Sequence, residues 1–186
     1  MLLGVSHTGE PTREYIHLRR PCKEDVRAIF DGWASDSETT RYVGWPTHQT
    51  LDDTYAFIAF SDDQWQKWGC GPLLIEHCET GTVIGSAGFA FFGAGTMVEK
   101  AEVGYVIAPE HRRRGYATEA LRQSITLAQA RGVMQLSAGV HPANTVSRHI
   151  VENHGFVPGN PSTIPVIFPQ INPNKPEHAI NYVLDF

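Results

Sequence analysis

Between Ala101 and Arg131 a strand-forming run meets a short turn crowded with arginine, and a helix-forming run follows. The strand reads Ala101-Glu102-Val103-Gly104-Tyr105-Val106-Ile107-Ala108, the turn His111-Arg112-Arg113-Arg114-Gly115, and the helix opens on Tyr116-Ala117-Thr118. A helix beginning there exposes main-chain N–H groups without intrahelical partners and carries partial positive charge, which suits a pyrophosphate. Gly115 lets the backbone approach a phosphate, and the small Ala117 leaves the neighbouring amides uncovered. The alternative is a solvated basic helix start. Neither GxxxxGK(S/T) nor GxGxxG occurs, which excludes a Walker loop and a dinucleotide fingerprint.

Other polar groups are less pointed. Asn144 can cap a helix with Ser147 three residues on, and capping explains that pair by itself. His141, His149 and His154 fall in one short region, yet without HxxxH or HExxH spacing no metal site is expected. Cys22, Cys70 and Cys78 are odd in number and show no CxxC spacing, so neither a disulfide framework nor a zinc site is expected, and a reducing, cytoplasmic setting is. Cys70 and Cys78 read as small apolar residues.

Around this segment the pattern alternates between strands and helices. Residues 1–14 read as a flexible leader, and one domain is expected over residues 15–186. Ile16–Arg20 is a strand; Pro21 opens a helix with Val26, Ile29, Phe30 and Trp33 on one face, ending near Ser35–Asp36. Thr50 and Asp53 form a capping pair for a second helix, whose expected apolar face is Leu51, Tyr55, Ile58 and Ala59. Pro72–Cys78 and Val83–Phe92 flank the turn Glu79-Thr80-Gly81 as a hairpin that Gly93–Gly95 closes. Glu99–Ala108 is the next strand, and Ala117, Ala120, Leu121, Ser124 and Ala128 stripe the helix that follows, ended by Arg131-Gly132. Met134–Val140 is a strand, Asn144–His154 a helix closed by Gly155, and Phe156–Val157 a strand start. Six prolines in 158–177 predict a long loop or an extended cover over a sheet edge. Ala179–Phe186 alternates as a final strand with Ile180, Tyr182, Leu184 and Phe186 on one face, and is expected at an exposed edge.

In register, Arg112-x-x-Gly115-x-Ala117 resembles the Q/R-x-x-G-x-G/A signature of the Gcn5-related N-acetyltransferases. Ala101-Glu102-Val103-Gly104-Tyr105, Asn144-x-x-Ser147 and Gly155-Phe156 extend the likeness over roughly Ile16–Phe156, towards the subgroup of ribosomal-protein-alanine acetyltransferases; Tyr42, Trp45 and Pro46 agree. The resemblance implies an α/β (α+β) fold: a mixed, mostly antiparallel sheet of six to seven strands with helices on both faces, splayed like a V between central strands at a bulge. It implies acetyl-CoA as cosubstrate, without metal, and direct attack by an amine. Coenzyme binding then falls to the main chain of Val106 and Ile107, to Arg112, Arg113, Arg114, Gly115, Tyr116, Ala117 and Thr118, and to Asn144. Glu102 is implied as general base and Ser147 as proton donor to the thiolate, with Tyr42 and Trp45 near the acceptor. Some relatives place a tyrosine acid seven residues after the asparagine and a base five residues before it; those positions here are Val151 and Gly139.

The bulk properties agree with an ordinary globular chain. Of 186 residues, 41% are hydrophobic and 19% charged, and 15 basic against 20 acidic residues give a net charge of −5. That balance argues against nucleic acid as a partner, and no stretch has the length of a membrane span. The expected acceptor is a protein or peptide N-terminal α-amine, with a polyamine, amino acid or aminoglycoside as the alternative and a non-catalytic acyl-CoA sensor as the reading from another class. Monomer and homodimer are both compatible with the sequence.

Overall fold

A computed structural model describes residues 15–91 and 100–186; the leader, Phe92, the Gly93–Gly95 stretch and Glu99 lie outside the described residues. The elements are β1 (Ile16–Arg19), α1 (Val26–Ile29), α2 (Leu51–Trp68), β2 (Pro72–His77), β3 (Val83–Ala90), β4 (Lys100–Ile107), α3 (Tyr116–Ala130), β5 (Gln135–Val140), α4 (Thr145–Asn153), β6 (Val157–Val166) and β7 (Glu177–Asp185). A 3₁₀ turn at Lys23–Asp25 leads into α1, and a wider π turn at Phe30–Ala34 prolongs it. No helix among the described residues is long and apolar enough to cross a membrane.

The seven strands form one open sheet in the order β1-β2-β3-β4-β5-β7-β6, antiparallel throughout except between β4 and β5. Alternation along the strands feeds a core on each face. Leu74 of β2 packs with Val26 and Ile29 of α1, Trp33 of the π turn and Ile58 of α2, whereas its neighbour Ile75 packs with Ala120 of α3. Leu121 and Ala128 of α3 and Val151 of α4 join Val103, Leu136 and Tyr182 in a third cluster.

Local chemistry sets the ends of α2. Asp53 accepts the Thr50 amide at 2.8 Å in a reciprocal capping arrangement, and Gly69 stops the helix in the left-handed conformation at φ 64°. Its buried face differs from the one periodicity gives: Thr54, Ile58 and Ser61 turn inward, while Tyr55 and Ala59 face solvent. Polar side chains can take inward positions when their hydrogen bonds are met. The Thr54 hydroxyl lies 2.9 Å from the His48 ring, and Ser61 donates to the Pro72 carbonyl at 2.8 Å.

The proline-rich stretch also departs from expectation. Its first half is not a loop but the edge strand β6, paired with β7 through a register shift between Pro158 and Thr163. Proline is tolerated at an edge, where an outward N–H is not needed by the ladder. As a result β7 is an interior strand between β5 and β6, not the exposed edge expected. Ile180, Tyr182 and Leu184 pack into the core, while Phe186 lies past the end of the strand and is exposed.

One discontinuity positions the site. β4 and β5 share only the pairs Lys100↔Gln135, Ala101↔Leu136 and Glu102↔Ser137, although β4 continues to Ile107 and β5 to Val140. Each stays paired with its other neighbour along that length, β4 with β3 and β5 with β7. The sheet therefore opens into a V whose apex is Glu102 and Ser137. The register between β3 and β4 is unbroken from Gly85↔Ile107 to Ala90↔Glu102, so the opening comes from divergence of β4 from β5. Gly85 is needed there: a Cβ on it would lie 2.1 Å from the Val106 carbonyl oxygen.

Candidate active site

At the open end of β4 the chain turns through Pro109–His111 and reaches α3 by way of two left-handed residues, Arg113 at φ 60° and Gly115 at φ 81°. No side chain caps α3, and the first amide to bond back is Glu119, to the Gly115 carbonyl at 3.0 Å. The amides of Tyr116, Ala117 and Thr118 are thus left without intrahelical acceptors. A Cβ built on Gly115 would meet nothing within 4 Å. Arg113, Arg114, Gly115 and Thr118 are exposed, Tyr116 and Ala117 half-buried, and neither Arg113 nor Arg114 has an ion-pair partner among the described residues. Unpaired donors around an open hollow beside two free cations fit a pyrophosphate.

Arg112 behaves differently from its two neighbours. Its guanidinium donates to the Ile107 carbonyl at 3.2 Å and to Thr39 Oγ1 at 2.6 Å, so its side chain ties the turn to β4 and to the α1–α2 connection. Thr39 in turn donates to Asp36. Val106 and Ile107 lie on the part of β4 that has lost its β5 neighbour; Ile107 is buried and Val106 half-buried against the α1–α2 face.

Glu102 stands at the apex. With Lys100, Ala101 and Ser137 it lines a small cleft of about 130 Å³. The residue reaches solvent at the cleft mouth, but the surrounding protein removes enough water to raise its carboxyl above the usual glutamate pKa.

Across the V, Asn144 caps α4, its Oδ1 accepting the Ser147 amide at 3.2 Å. The Ser147 hydroxyl lies 2.9 Å from the phenol oxygen of Tyr105 on β4. Burial pushes the Tyr105 phenol up to about 12, against a smaller lowering by Ser147. Val151, where some relatives carry a tyrosine, is packed in the core. Replacing Asn144 by Ala should cost about 1 kcal/mol of folding stability through the lost cap, measurable as a lower denaturation midpoint at unchanged m-value.

The connection between α1 and α2 spans the mouth of the V. Thr39 holds it to Arg112 on the β4 side, and on the β5 side Tyr42 stacks on His141 with ring centroids 4.9 Å apart and an interplanar angle of 29°. His141 accepts the Ala143 amide at Nδ1 and donates from Nε2 to Glu177 at 3.0 Å. Trp45 packs edge-on against Trp33 at 5.9 Å, and Gln170 donates to its carbonyl at 3.0 Å. His149 pairs with Asn153 and His154 with the Ile150 carbonyl. No group of three or more His, Cys, Asp or Glu among the described residues is placed to hold a metal.

The structure thus sets Glu102, Tyr105, Val106, Ile107 and the Arg112–Thr118 turn along one strand–turn–helix, and brings Ser147 and Asn144 to the opposite arm. Tyr42 lies at the rim, and Trp45 sits further back against the α1–α2 core. Sequence reasoning left Tyr105 and Thr39 without a role. Tyr105 was inside a recognisable fragment, but its partner is 42 positions away; the Thr39–Arg112 contact spans 73 and has no local signal.

Comparison with known proteins points the same way. Residues 16–157 match the sequence profile described as "Acetyltransferase (GNAT) domain". The chain is 29% identical over 145 residues to "Uncharacterized N-acetyltransferase YoaA" of Bacillus subtilis, an alignment covering 75% of this chain and 77% of that protein. Among solved structures, a GNAT-family acetyltransferase from Bacillus anthracis superposes with a TM-score of 0.75 at 20% identity, covering 92% of this chain and 95% of that one. Spermidine N-acetyltransferase from Vibrio cholerae, solved with CoA and spermine, gives a TM-score of 0.74 at 15% identity, covering 93% and 96%. The match of residues 16–157, most of the chain, to that profile, on a sheet whose central strands diverge beside an open, donor-rich turn, makes this protein a member of the GNAT family, an acetyl-CoA-dependent N-acetyltransferase.

Proposed function

We propose that this enzyme acetylates the N-terminal α-amine of a protein or peptide by direct attack in a ternary complex, in the manner of the ribosomal-protein acetyltransferase subgroup. The observation that carries the choice of acceptor is Glu102, the carboxylate that lines the cleft at the apex among the described residues and whose basicity is raised by desolvation. An α-ammonium has a pKa of about 7.7–8.0 and a side-chain ammonium about 10.4, so each is a very different demand on one carboxylate. Near neutral pH a sizeable share of the α-amine is already deprotonated, and a raised carboxylate can take the remaining proton through water. The fragments Asn144-x-x-Ser147 and Tyr42 with Trp45-Pro46 support the same subgroup.

Acetyl-CoA, when bound, supplies an activated acyl group and a thiolate that leaves. The amides of Tyr116, Ala117 and Thr118, with Arg113 and Arg114, would hold its pyrophosphate, while Gly115 keeps the approach open. Arg112 holds the turn in shape from behind, through Ile107 and Thr39. Freed from β5, the main chain at Val106 and Ile107 offers hydrogen-bonding groups to an extended pantetheine, as an added strand would. Asn144 would touch the coenzyme from the opposite arm. Glu102 receives the amine proton, Ser147 donates to the departing sulfur, and Tyr42, stacked on His141, borders the acceptor entrance.

The test is incubation with acetyl-CoA and a mixed panel, read by mass spectrometry. The panel should hold peptides with free N-termini, N-terminally blocked peptides with a free lysine, amino acids, aminoglycosides and spermidine. Acetylation of the free N-termini and not of the blocked peptides is the expected result. Preferred acetylation of spermidine or another small amine would reassign the acceptor, and coenzyme binding without any acetylated product would make the protein a sensor.

A further inference from the structure

Past the apex of the V, the two arms are joined by a side-chain hydrogen bond. Tyr105 Oη on β4 lies 2.9 Å from Ser147 Oγ on α4 and 3.4 Å from the Ser147 carbonyl oxygen. A phenol has a single proton to give, and at these distances the serine hydroxyl is the better acceptor. With the phenol donating to Oγ, the serine's own proton has no other acceptor among the described residues. Its direction is then decided by Tyr105, on the stretch of β4 that faces the gap left by β5.

We propose that Tyr105 is a positioning residue for proton transfer, its hydroxyl donating to Ser147 Oγ so that the serine proton is aimed at the sulfur that leaves. This rests on the reading of Ser147 as proton donor. As the acyl C–S bond breaks, the electron pair stays on sulfur, and the serine O–H proton moves to it. Solvent water returns a proton to the serine oxygen as its own departs, so no free alkoxide builds up beside the more acidic phenol, whose hydrogen bond holds that oxygen in place. Burial keeps Tyr105 protonated, with its pKa pushed up to about 12, so it remains a donor throughout the working pH range. The Asn144 cap fixes Ser147 from the other side through its amide, so the serine is held at its main chain and at its hydroxyl by two different elements.

The experiment is a double-mutant cycle with steady-state kinetics on Tyr105→Phe, Ser147→Ala and the pair. Tyr105→Phe keeps the ring and should lower kcat roughly tenfold, the scale of one hydrogen bond to an oxygen that develops charge, while KM for acetyl-CoA stays unchanged. Ser147→Ala should lower kcat by about 10²-fold, and adding Tyr105→Phe to it should change nothing further. A second, independent drop in the double variant would overturn the inference, as would a Tyr105→Phe effect confined to KM. If Ser147→Ala keeps wild-type kcat, the proton-donor role and the inference fall together, while the acceptor assignment, read from the wild-type panel, still stands on its own result.

Discussion

Gly115→Asp is expected to abolish measurable coenzyme A binding, a loss of about 10²-fold or more in affinity. The protein itself accommodates the new atoms, since a Cβ at Gly115 meets nothing within 4 Å. The damage falls on the ligand: a carboxylate would sit in the hollow proposed for the two phosphates, and like charges brought together cost several kcal/mol, with about 1.4 kcal/mol for each tenfold. Gly115→Ala separates charge from backbone strain, because it carries the left-handed penalty at φ 81° without the negative charge. Thermal unfolding with and without millimolar coenzyme A reads both variants, since a ligand that binds only the folded state raises the midpoint by mass action. A full wild-type shift in Gly115→Asp would mean that the phosphates lie elsewhere.

Glu102→Gln should reduce turnover by roughly 10²–10⁴-fold, the usual contribution of a general base. The pH dependence gives a sharper signature. Since burial favours the neutral carboxyl, the acidic limb of the wild-type kcat/KM profile should lie above the ordinary glutamate range and vanish in the variant. Stability should move the opposite way. A carboxyl whose folded-state pKa is raised binds its proton more tightly when folded, so its contribution to folding is most favourable in acid and falls as pH rises through that value. Glu102→Gln should therefore be more stable than wild type near neutral pH and converge with it below the unfolded-state pKa. Unchanged turnover with the acidic limb intact would remove Glu102 from the mechanism.

Features governed by neighbours in sequence could be read in advance. The Thr50–Asp53 capping pair, the Asn144 cap and the glycine that opens α3 are decided within a few residues, and each appears where its side-chain chemistry requires. The turn at Arg112–Ala117 was legible for the same reason, as helix starts announce their unpaired amides locally. Long-range partners erased the rest. Thr54 and Ser61 face inward because His48 and the Pro72 carbonyl wait for them, which no count of apolar residues reveals. Arg112 matched a signature, yet its side chain is turned to Thr39, and Tyr105 finds Ser147 only once β4 and α4 are opposed. Prolines in β6 argued only against a central strand and left loop and extended cover both open, because their place in a sheet depends on edge position, a property of the finished sheet.

That same edge has a consequence for the molecule among its fellows. An open sheet offers its two outermost strands as templates on which a foreign chain can crystallise into cross-β order. Here one margin is the four-residue β1, and the other is β6, where Pro158, Pro161 and Pro165 delete donors and a slipped register interrupts the repeat. An intruding segment would find too few consecutive bonding partners on either side to gain a foothold, so at high concentration the flanks of this sheet resist polymerisation by the same residues that hide the strand from a reader of the sequence.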